Sequence, residues 1–132
     1  MAIMKLDHIS VVVDDLDSAI DFFTTLGLSI GGRARVAGPW VDRINALDGI
    51  EVDIVMMRTP DGHGQLELTK FLSPALVPVE PAVAPPNALG LRSVMFAVES
   101  VDATVERLQA KGGRLIGEAT WPGERGLGGV AR

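Results

Sequence analysis

His8 and Glu67 are candidate ligands of one metal ion, because each lies on the polar face of a predicted strand. A neutral imidazole offers a nitrogen and a carboxylate offers an oxygen, and first-row divalent ions take both donor types in proteins. Two ligands do not complete a site, so a third protein ligand, or water and a bound substrate, has to fill the remaining positions. For His8 alone, the alternative is a polar strand residue that is hydrogen-bonded in a pocket.

Residues 6–27, which include His8, predict a strand, a turn and an amphipathic helix. Side chains alternate between the two faces of a strand, so His8 and Ser10 share a face that carries polar groups. The opposite face is apolar and is expected to pack under the helix. Alternation places Asp7 on this face together with the apolar residues Ile9, Val11 and Val13.

The same segment contains signals for both ends of that helix. Asp14 or Asp15 is the predicted N-cap, because a carboxylate there accepts hydrogen bonds from the first unpaired backbone N–H groups. Gly27 is the predicted end, where a left-handed backbone conformation is common. Between these ends, apolar residues recur at helical spacing, namely Leu16, Ala19, Ile20, Phe23 and Leu26.

A second copy of this pattern occupies residues 91–112. It aligns with residues 6–27 without a gap, and its apolar positions match those of the first copy. A repeat at a fixed offset indicates two copies of one structural module. The alignment places Ser93 at the position that His8 has in the first copy.

Three further strands are predicted after the first helix, at residues 29–36, 50–58 and 65–71. A short helix is predicted over residues 40–47. The first module therefore has the element order βαβββ. The polar face of its last strand is formed by Gln65, Glu67 and Thr69.

These elements predict one domain over residues 1–132. Module one covers about 4–72, a proline-rich connector covers 73–88, and module two covers about 89–132. We expect an α+β fold in which paired βαβββ modules form a curled mixed sheet, a cup, with the second module incomplete. Truncation or a changed reading frame would explain the short second module. Alternatively, another chain supplies the missing sheet edge, which predicts a homodimer.

The composition limits the classes of partner. The chain has 132 residues, is 47% apolar and 22% charged, and resembles ordinary globular domains. Its net charge of −5 argues against nucleic acid, whose binding needs clustered Lys and Arg. The sequence has no cysteine and no apolar run of the length that a membrane span needs. We therefore expect a cytoplasmic protein without a membrane or nucleic-acid partner and without a secretory leader.

The segment LDHISVVVDDLDSAIDFFTTLGL, its repeat near residue 91 and the segment GQLELTKF resemble the vicinal oxygen chelate superfamily. That superfamily includes glyoxalase I, extradiol dioxygenases, methylmalonyl-CoA epimerase, fosfomycin-resistance enzymes and bleomycin-resistance proteins. The likeness covers about residues 4–116. It implies paired βαβββ modules that form a cup, usually in a homodimer.

The resemblance also implies a metal site. Metal-binding members place a His on the first strand of module one and a Glu on its last strand, and His8 and Glu67 match these positions. They place a third ligand on the first strand of module two, where this sequence has Ser93, a poor ligand. A fourth ligand, where present, sits on the last strand of module two, beyond the end of this chain.

Further residues are candidates for contacts with a substrate. Arg43 would bind an anionic group through its planar fork, although a surface helix arginine needs no function. Apolar side chains would line the pocket, the alternative being core or dimer packing. His63 could also reach the mouth of the cup, the alternative being an exposed turn residue. The other candidates are Ser10, Thr69 and Ser93 among the polar residues and Trp40, Met56, Met57 and Met95 among the apolar ones.

Two functional hypotheses follow. The first is a lyase, isomerase or dioxygenase that uses a divalent ion (Zn, Ni, Fe, Mn or Co) to chelate two oxygens of a small substrate, with Glu67 as the catalytic base. The alternative is a metal-free protein that sequesters small molecules, as bleomycin-resistance relatives do. The pair of His8 and Glu67 favours the enzyme. Ser93 and the short second module favour the binding protein.

Overall fold

The computed structural model describes residues 2–117 and the backbone of residues 130–131. The chain divides into two compact units, Met1–Val77 and Pro78–Arg132. The division falls within the predicted connector, and the single-domain organisation over residues 1–132 stays a prediction. Within the described ranges, no helix is long and apolar enough to cross a membrane.

The first unit contains one four-stranded sheet and two helices. Its elements are β1 (Ile9–Val12), α1 (Leu16–Leu26), β2 (Ser29–Ala37), α2 (Pro39–Asn45), β3 (Glu51–Arg58) and β4 (Gln65–Ser73). In the sheet, the strands lie in the order β1-β4-β3-β2, with β1 parallel to β4 and the other neighbours antiparallel. This mixed sheet and its element order, which is βαβββ apart from the short helix α2, confirm the predicted α+β class.

Helix α1 begins and ends at residues whose local chemistry favours helix ends. Asp15 is the N-cap, and its side chain accepts a hydrogen bond from the Ser18 backbone N–H at 3.0 Å. Gly27 is the C-cap, with a φ of 125° that a residue without Cβ adopts easily. Of the two predicted N-caps, Asp15 therefore has this role.

Helix α1 covers one face of the sheet and forms the main core with it. It contacts β2, β3 and β4. Alternation along β3 and β4 directs one set of apolar side chains to this face, and removing such side chains from water stabilises the fold by about 25 cal/mol per Å². The buried residues of this core are Leu16, Leu28, Val55, Met57, Leu66 and Leu68.

Helix α2 packs on the opposite face of the sheet, at one end of it. Val41 of α2 is buried against Ile50 and Val52, and the half-buried Val36, Ile54 and Phe71 pack around them. The Asp42 carboxylate accepts hydrogen bonds from the backbone N–H groups of Gly49 and Ile50, at 3.1 and 2.8 Å. These bonds fix the return of the chain from α2 into β3.

The second unit contains α3 (Val101–Gln109) and a short antiparallel pair, β5 (Phe96–Ala97) with β6 (Val130–Ala131). The Ser100 side chain caps α3 by accepting a hydrogen bond from the Ala103 backbone N–H at 3.2 Å. The helix of the predicted repeat is therefore present. Its strand is shorter than predicted, because only Phe96 and Ala97 have a pairing partner in the described part of the chain.

Candidate functional site

The pairing of β1 with β4 brings the two predicted metal ligands together. Ser10 lies beside Glu67 in this parallel register, and Val12 lies beside Thr69. His8 directly precedes β1 and its side chain reaches the same face. The Nε2 atom of His8 is 3.4 Å from Oε2 of Glu67.

Two hydroxyl groups hold the other oxygen of the Glu67 carboxylate. Ser10 Oγ donates to Glu67 Oε1 at 2.8 Å, and Thr69 Oγ1 donates to the same oxygen at 3.0 Å. Thr69 is buried, with 5% of its surface exposed, so its hydroxyl is fixed by the packing around it. The carboxylate is thereby oriented, with Oε1 occupied and Oε2 directed at His8.

Asp7 orients the His8 ring from its other side. The Nδ1 atom of His8 donates a hydrogen bond to Asp7 Oδ2 at 2.7 Å, and Lys5 Nζ lies 3.1 Å from Asp7 Oδ1. The hydrogen bond with His8, and then the contact with Lys5, lower the pKa of the Asp7 carboxyl below its ordinary value. A carboxylate that accepts a hydrogen bond from one ring nitrogen is the usual outer partner of a metal-binding histidine. It keeps the proton on that nitrogen and leaves the lone pair of Nε2 for the metal ion.

The spacing of His8 and Glu67 fits two ligands of one ion. Two ligands about 2.1 Å from an ion at tetrahedral angles are about 3.4 Å apart, as Nε2 and Oε2 are here. Over residues 2–117, however, no group of three His, Cys, Asp or Glu side chains is placed to hold a metal ion. The donor set therefore fits two coordination positions and leaves the others to groups outside these residues.

The neighbouring strands add apolar groups to the face that carries Glu67. Met56 of β3 lies beside Glu67, and Ile54 lies beside Thr69. Both side chains are half-buried. The expectation that Met56 lines an apolar wall agrees with this placement. For Met57 the structure agrees with the alternative, core packing, because alternation directs its side chain to the α1 core, where it is fully buried.

The remaining candidates belong to other elements of the chain. Trp40 and Arg43 are exposed residues of α2. Ser93 and Met95 belong to the second unit, in an exposed segment before β5. His63 is exposed in the loop between β3 and β4, where its backbone N–H donates to Asp61 Oδ1 at 3.0 Å, as in a turn. The structure therefore brings together His8, Ser10, Glu67 and Thr69.

Sequence reasoning missed the role of Asp7. Strict alternation assigned Asp7 to the apolar face, opposite His8. Regular strand structure starts only at Ile9, so the backbone at residues 7 and 8 is free to direct both side chains toward each other. The signal available in the sequence was the adjacent acid and imidazole, Asp7-His8.

Comparisons with known proteins agree with this fold. A glyoxalase family protein from Bacillus cereus is 44% identical, with a TM-score of 0.87 over 92% of this chain and 80% of that chain. The protein SMU.1112c, 24% identical, shares the fold with a TM-score of 0.53 over 83% of this chain and 76% of that chain. No curated protein matches the sequence. A family profile matches residues 5–128, and the chain belongs to the Glyoxalase/Bleomycin resistance protein/Dioxygenase superfamily.

Proposed function

We propose that this chain binds a divalent metal ion with His8 and Glu67 and acts on a small substrate that offers oxygens to that ion. The superfamily binds small-molecule substrates, and many of its members use divalent metals. The observation that carries the proposal is the 3.4 Å distance between Nε2 of His8 and Oε2 of Glu67. Hydrogen bonds at the other polar atom of each side chain, Nδ1 of His8 and Oε1 of Glu67, orient the pair. The proposed reaction class is a lyase, isomerase or dioxygenase, and the candidate ions are Zn, Ni, Fe, Mn and Co.

A bound ion would supply Lewis-acid stabilisation of negative charge that develops on a substrate oxygen. The protein residues have separate roles. Ser10 and Thr69 occupy Oε1 of Glu67, so Oε2 is the oxygen that remains for the ion or for a proton. Asp7 accepts the hydrogen bond from Nδ1 of His8, so the lone pair of Nε2 is directed at the ion. Glu67 is also the proposed catalytic base, because Oε2 accepts no hydroxyl hydrogen bond within the described residues.

A second candidate function is that of a metal-free protein of the bleomycin-resistance type, which binds and sequesters a small molecule. Two observations favour it. Over residues 2–117, no third His, Cys, Asp or Glu is placed to complete a metal site with this pair, and the repeat has Ser93 where the first module has His8. In this case His8, Ser10 and Glu67 would bind the polar end of the ligand through hydrogen bonds. Trp40, Arg43, Ser93 and Met95 stay predicted contacts under either function.

Metal content separates the two functions. The sequence has two histidines, so His63→Ala, in an exposed turn, is a matched control for His8→Ala. Near-stoichiometric Zn, Ni, Fe, Mn or Co in the purified protein and in His63→Ala, but not in His8→Ala, supports the metalloenzyme. A metal-free protein whose thermal stability does not change with any of these ions contradicts it and supports the binding protein.

We also propose that the protein is a cytoplasmic homodimer. Among the described residues, β1 and β2 are the edge strands of the sheet and no strand pairs with their outer edges. This supports the dimer, since unpaired strand edges favour association. Nearly every residue of β2 is exposed. A sequence without cysteine fits a reducing compartment. Light scattering after size exclusion should give a mass near twice 14.0 kDa, and a mass near 14.0 kDa would contradict the dimer.

A further inference from the structure

Helix α2 and the turn that follows it expose apolar side chains away from the sheet. We propose that two copies of the chain associate through this surface, with their α2 helices antiparallel across a two-fold axis. The surface is called the α2 patch and consists of Trp40, Arg43, Ile44, Leu47 and Asp48. This inference rests on the proposed homodimer, and it adds the residues that bind the second copy.

The apolar residues of the α2 patch are much more exposed than the side of α2 that packs on the sheet. Val41, on that inner side, is 7% exposed. The exposed fractions of Trp40, Ile44 and Leu47 are 54%, 73% and 43%. Trp40 and Ile44 lie four residues apart in one helix, so they share a face. Clustered exposed apolar residues mark interaction sites, and tryptophan is prominent among the residues that dominate binding energy.

The turn after α2 is fixed relative to the helix by hydrogen bonds. The Leu47 backbone N–H donates to the Asp42 carbonyl oxygen at 3.2 Å. The Asp42 carboxylate accepts hydrogen bonds from two backbone N–H groups beyond the turn. Ala46 has a φ of 52°, which is uncommon for a residue other than glycine. Leu47 and Asp48 are therefore oriented before a partner binds, which lowers the entropic cost of association.

One cation and one anion accompany the apolar residues of the α2 patch. The side chains of Arg43 and Asp48 form no hydrogen bond or ion pair with any group in the described ranges. Arg35 of β2, by contrast, is also exposed but lies 2.8 Å from a carboxylate oxygen of Asp53. A surface with one free charge of each sign can be complementary to a second copy of itself.

A single two-fold axis satisfies the apolar and the charged contacts together. In a two-fold interface, a residue that meets a second residue of the partner is itself repeated on the other side of the axis. Ile44 and Leu47 have the same midpoint along the chain as Arg43 and Asp48. Antiparallel α2 helices centred there place Ile44 against the partner subunit's Leu47 and Arg43 against the partner subunit's Asp48.

This pairing favours a second copy as the occupant of the α2 patch. It brings apolar side chains together and opposite charges together without a like-charge contact. Trp40, one helical turn from Ile44, extends the apolar contact on each side of the axis. For Trp40 the sequence left dimer packing open as the alternative to ligand contact, and this inference assigns it dimer packing.

Loss of the apolar side chains should weaken the dimer. Trp40→Ala should raise the dissociation constant of the dimer by about 30-fold or more, and Ile44→Ser by at least about tenfold. Leu89→Ser, at a position that is 100% exposed in the second unit, is the control and should keep the wild-type constant. Sedimentation velocity over a dilution series measures these constants. Circular dichroism verifies that each variant is folded.

Charge reversal tests the two-fold pairing itself. Arg43→Asp creates an acid–acid contact across the axis and Asp48→Arg a contact between two cations, so each variant alone should have a dissociation constant at least about tenfold higher. In an equimolar mixture of the two variants both contacts join opposite charges, so the heterodimer should exceed the fraction that random pairing gives. Native mass spectrometry identifies it when one variant is labelled with nitrogen-15. Arg107→Asp, at an exposed position of α3, should leave the dimer unchanged.

The outcomes separate this inference from the proposed homodimer. A dimer whose dissociation constant is unchanged in Trp40→Ala and Ile44→Ser overturns the inference and leaves the homodimer to another surface. Trp40 then keeps its other predicted role, contact with a ligand. A mixture of the charge variants that pairs only at random also overturns the two-fold arrangement. A wild type that is monomeric at every concentration contradicts the proposed homodimer and this inference with it.

Discussion

Nε2 of His8 and Oε2 of Glu67 lie 3.4 Å apart, although 58 residues separate them in the sequence, because β1 and β4 are parallel neighbours in the sheet. This distance is longer than a good N–H···O hydrogen bond, whose usual range is about 2.7–3.2 Å. It equals the spacing of two ligands of one tetrahedral ion. Both side chains are held by outer hydrogen bonds, so the pair is oriented before any ion or ligand binds.

Removing the Ser10 hydroxyl should weaken metal binding with little effect on folding. Ser10→Ala deletes the 2.8 Å hydrogen bond to Glu67 Oε1, and loss of such outer contacts typically costs about tenfold to 100-fold in affinity. Ser29→Ala, an exposed strand serine, is the matched control. Competition titration with Zn²⁺ measures the effect. Equal dissociation constants for the wild type and both variants would contradict the role of Ser10.

Asp7→Ala should also weaken metal binding, because His8 then loses the partner of Nδ1. We expect a decrease in Zn²⁺ affinity of about tenfold or more. Nitrogen-15 NMR of the metal-free protein at neutral pH should show the Nδ1–H tautomer in the wild type and a mixture of tautomers in the variant. Asp14→Ala, an exposed acid before α1, serves as the control. An unchanged tautomer in Asp7→Ala would show that another group orients the ring.

The face covered by α1 should dominate stability. Leu68 of β4 is fully buried, so Leu68→Ala leaves a cavity and should lower the free energy of unfolding by about 2–5 kcal/mol. Leu72 lies on the same strand with 42% of its surface exposed, and Leu72→Ala should have a smaller effect. Urea unfolding followed by circular dichroism gives both values. Equal losses would mean that burial under α1 does not determine how much a leucine of β4 contributes to stability.

Stability should fall in acid because several carboxylates, Asp53 and Asp15 among them, are better stabilised in the folded chain than in the unfolded chain. The hydrogen bond from Arg35 lowers the pKa of Asp53, and those from Ser18 lower the pKa of Asp15. A depressed folded-state pKa stabilises the fold above the unfolded-state pKa of about 3.9, and this contribution disappears as the pH falls through the folded-state value.

The test is the melting temperature between pH 2.5 and 7. It should decrease below about pH 4, and the decrease should be smaller in Asp53→Asn, which starts from a lower melting temperature at pH 7. Asp14→Asn, which changes an acid outside these contacts, should follow the wild-type curve. A variant Asp53→Asn with the wild-type melting temperature at every pH would exclude this contribution.

The sequence predicted best where local chemistry decides the structure. Asp15 and Gly27 define the ends of α1 through hydrogen bonds and backbone freedom that involve a few neighbouring residues. Alternation also predicted correctly that Glu67 and Thr69 share a face. The direct pairing of Ser10 with Glu67 was not predictable in this way, because register between distant strands depends on the packing of the whole sheet.

Two errors have the same physical origin. Alternation assigned a face to Asp7 although the strand begins only at Ile9. It also predicted a full strand before α3, although within the described residues only Phe96 and Ala97 have a pairing partner there. Both depend on where a partner strand begins and ends. An apolar pattern in one segment does not contain that information.

The central claim is that His8 and Glu67 bind one ion together, and a double-mutant cycle on Zn²⁺ affinity tests it most directly. The variants are His8→Ala, Glu67→Gln and the double variant. If both side chains hold the same ion, each single change should weaken binding by about 100-fold or more, and the double variant should be little weaker than either single one. Wild-type affinity in both single variants, or no Zn²⁺ binding by the wild type, would contradict the claim.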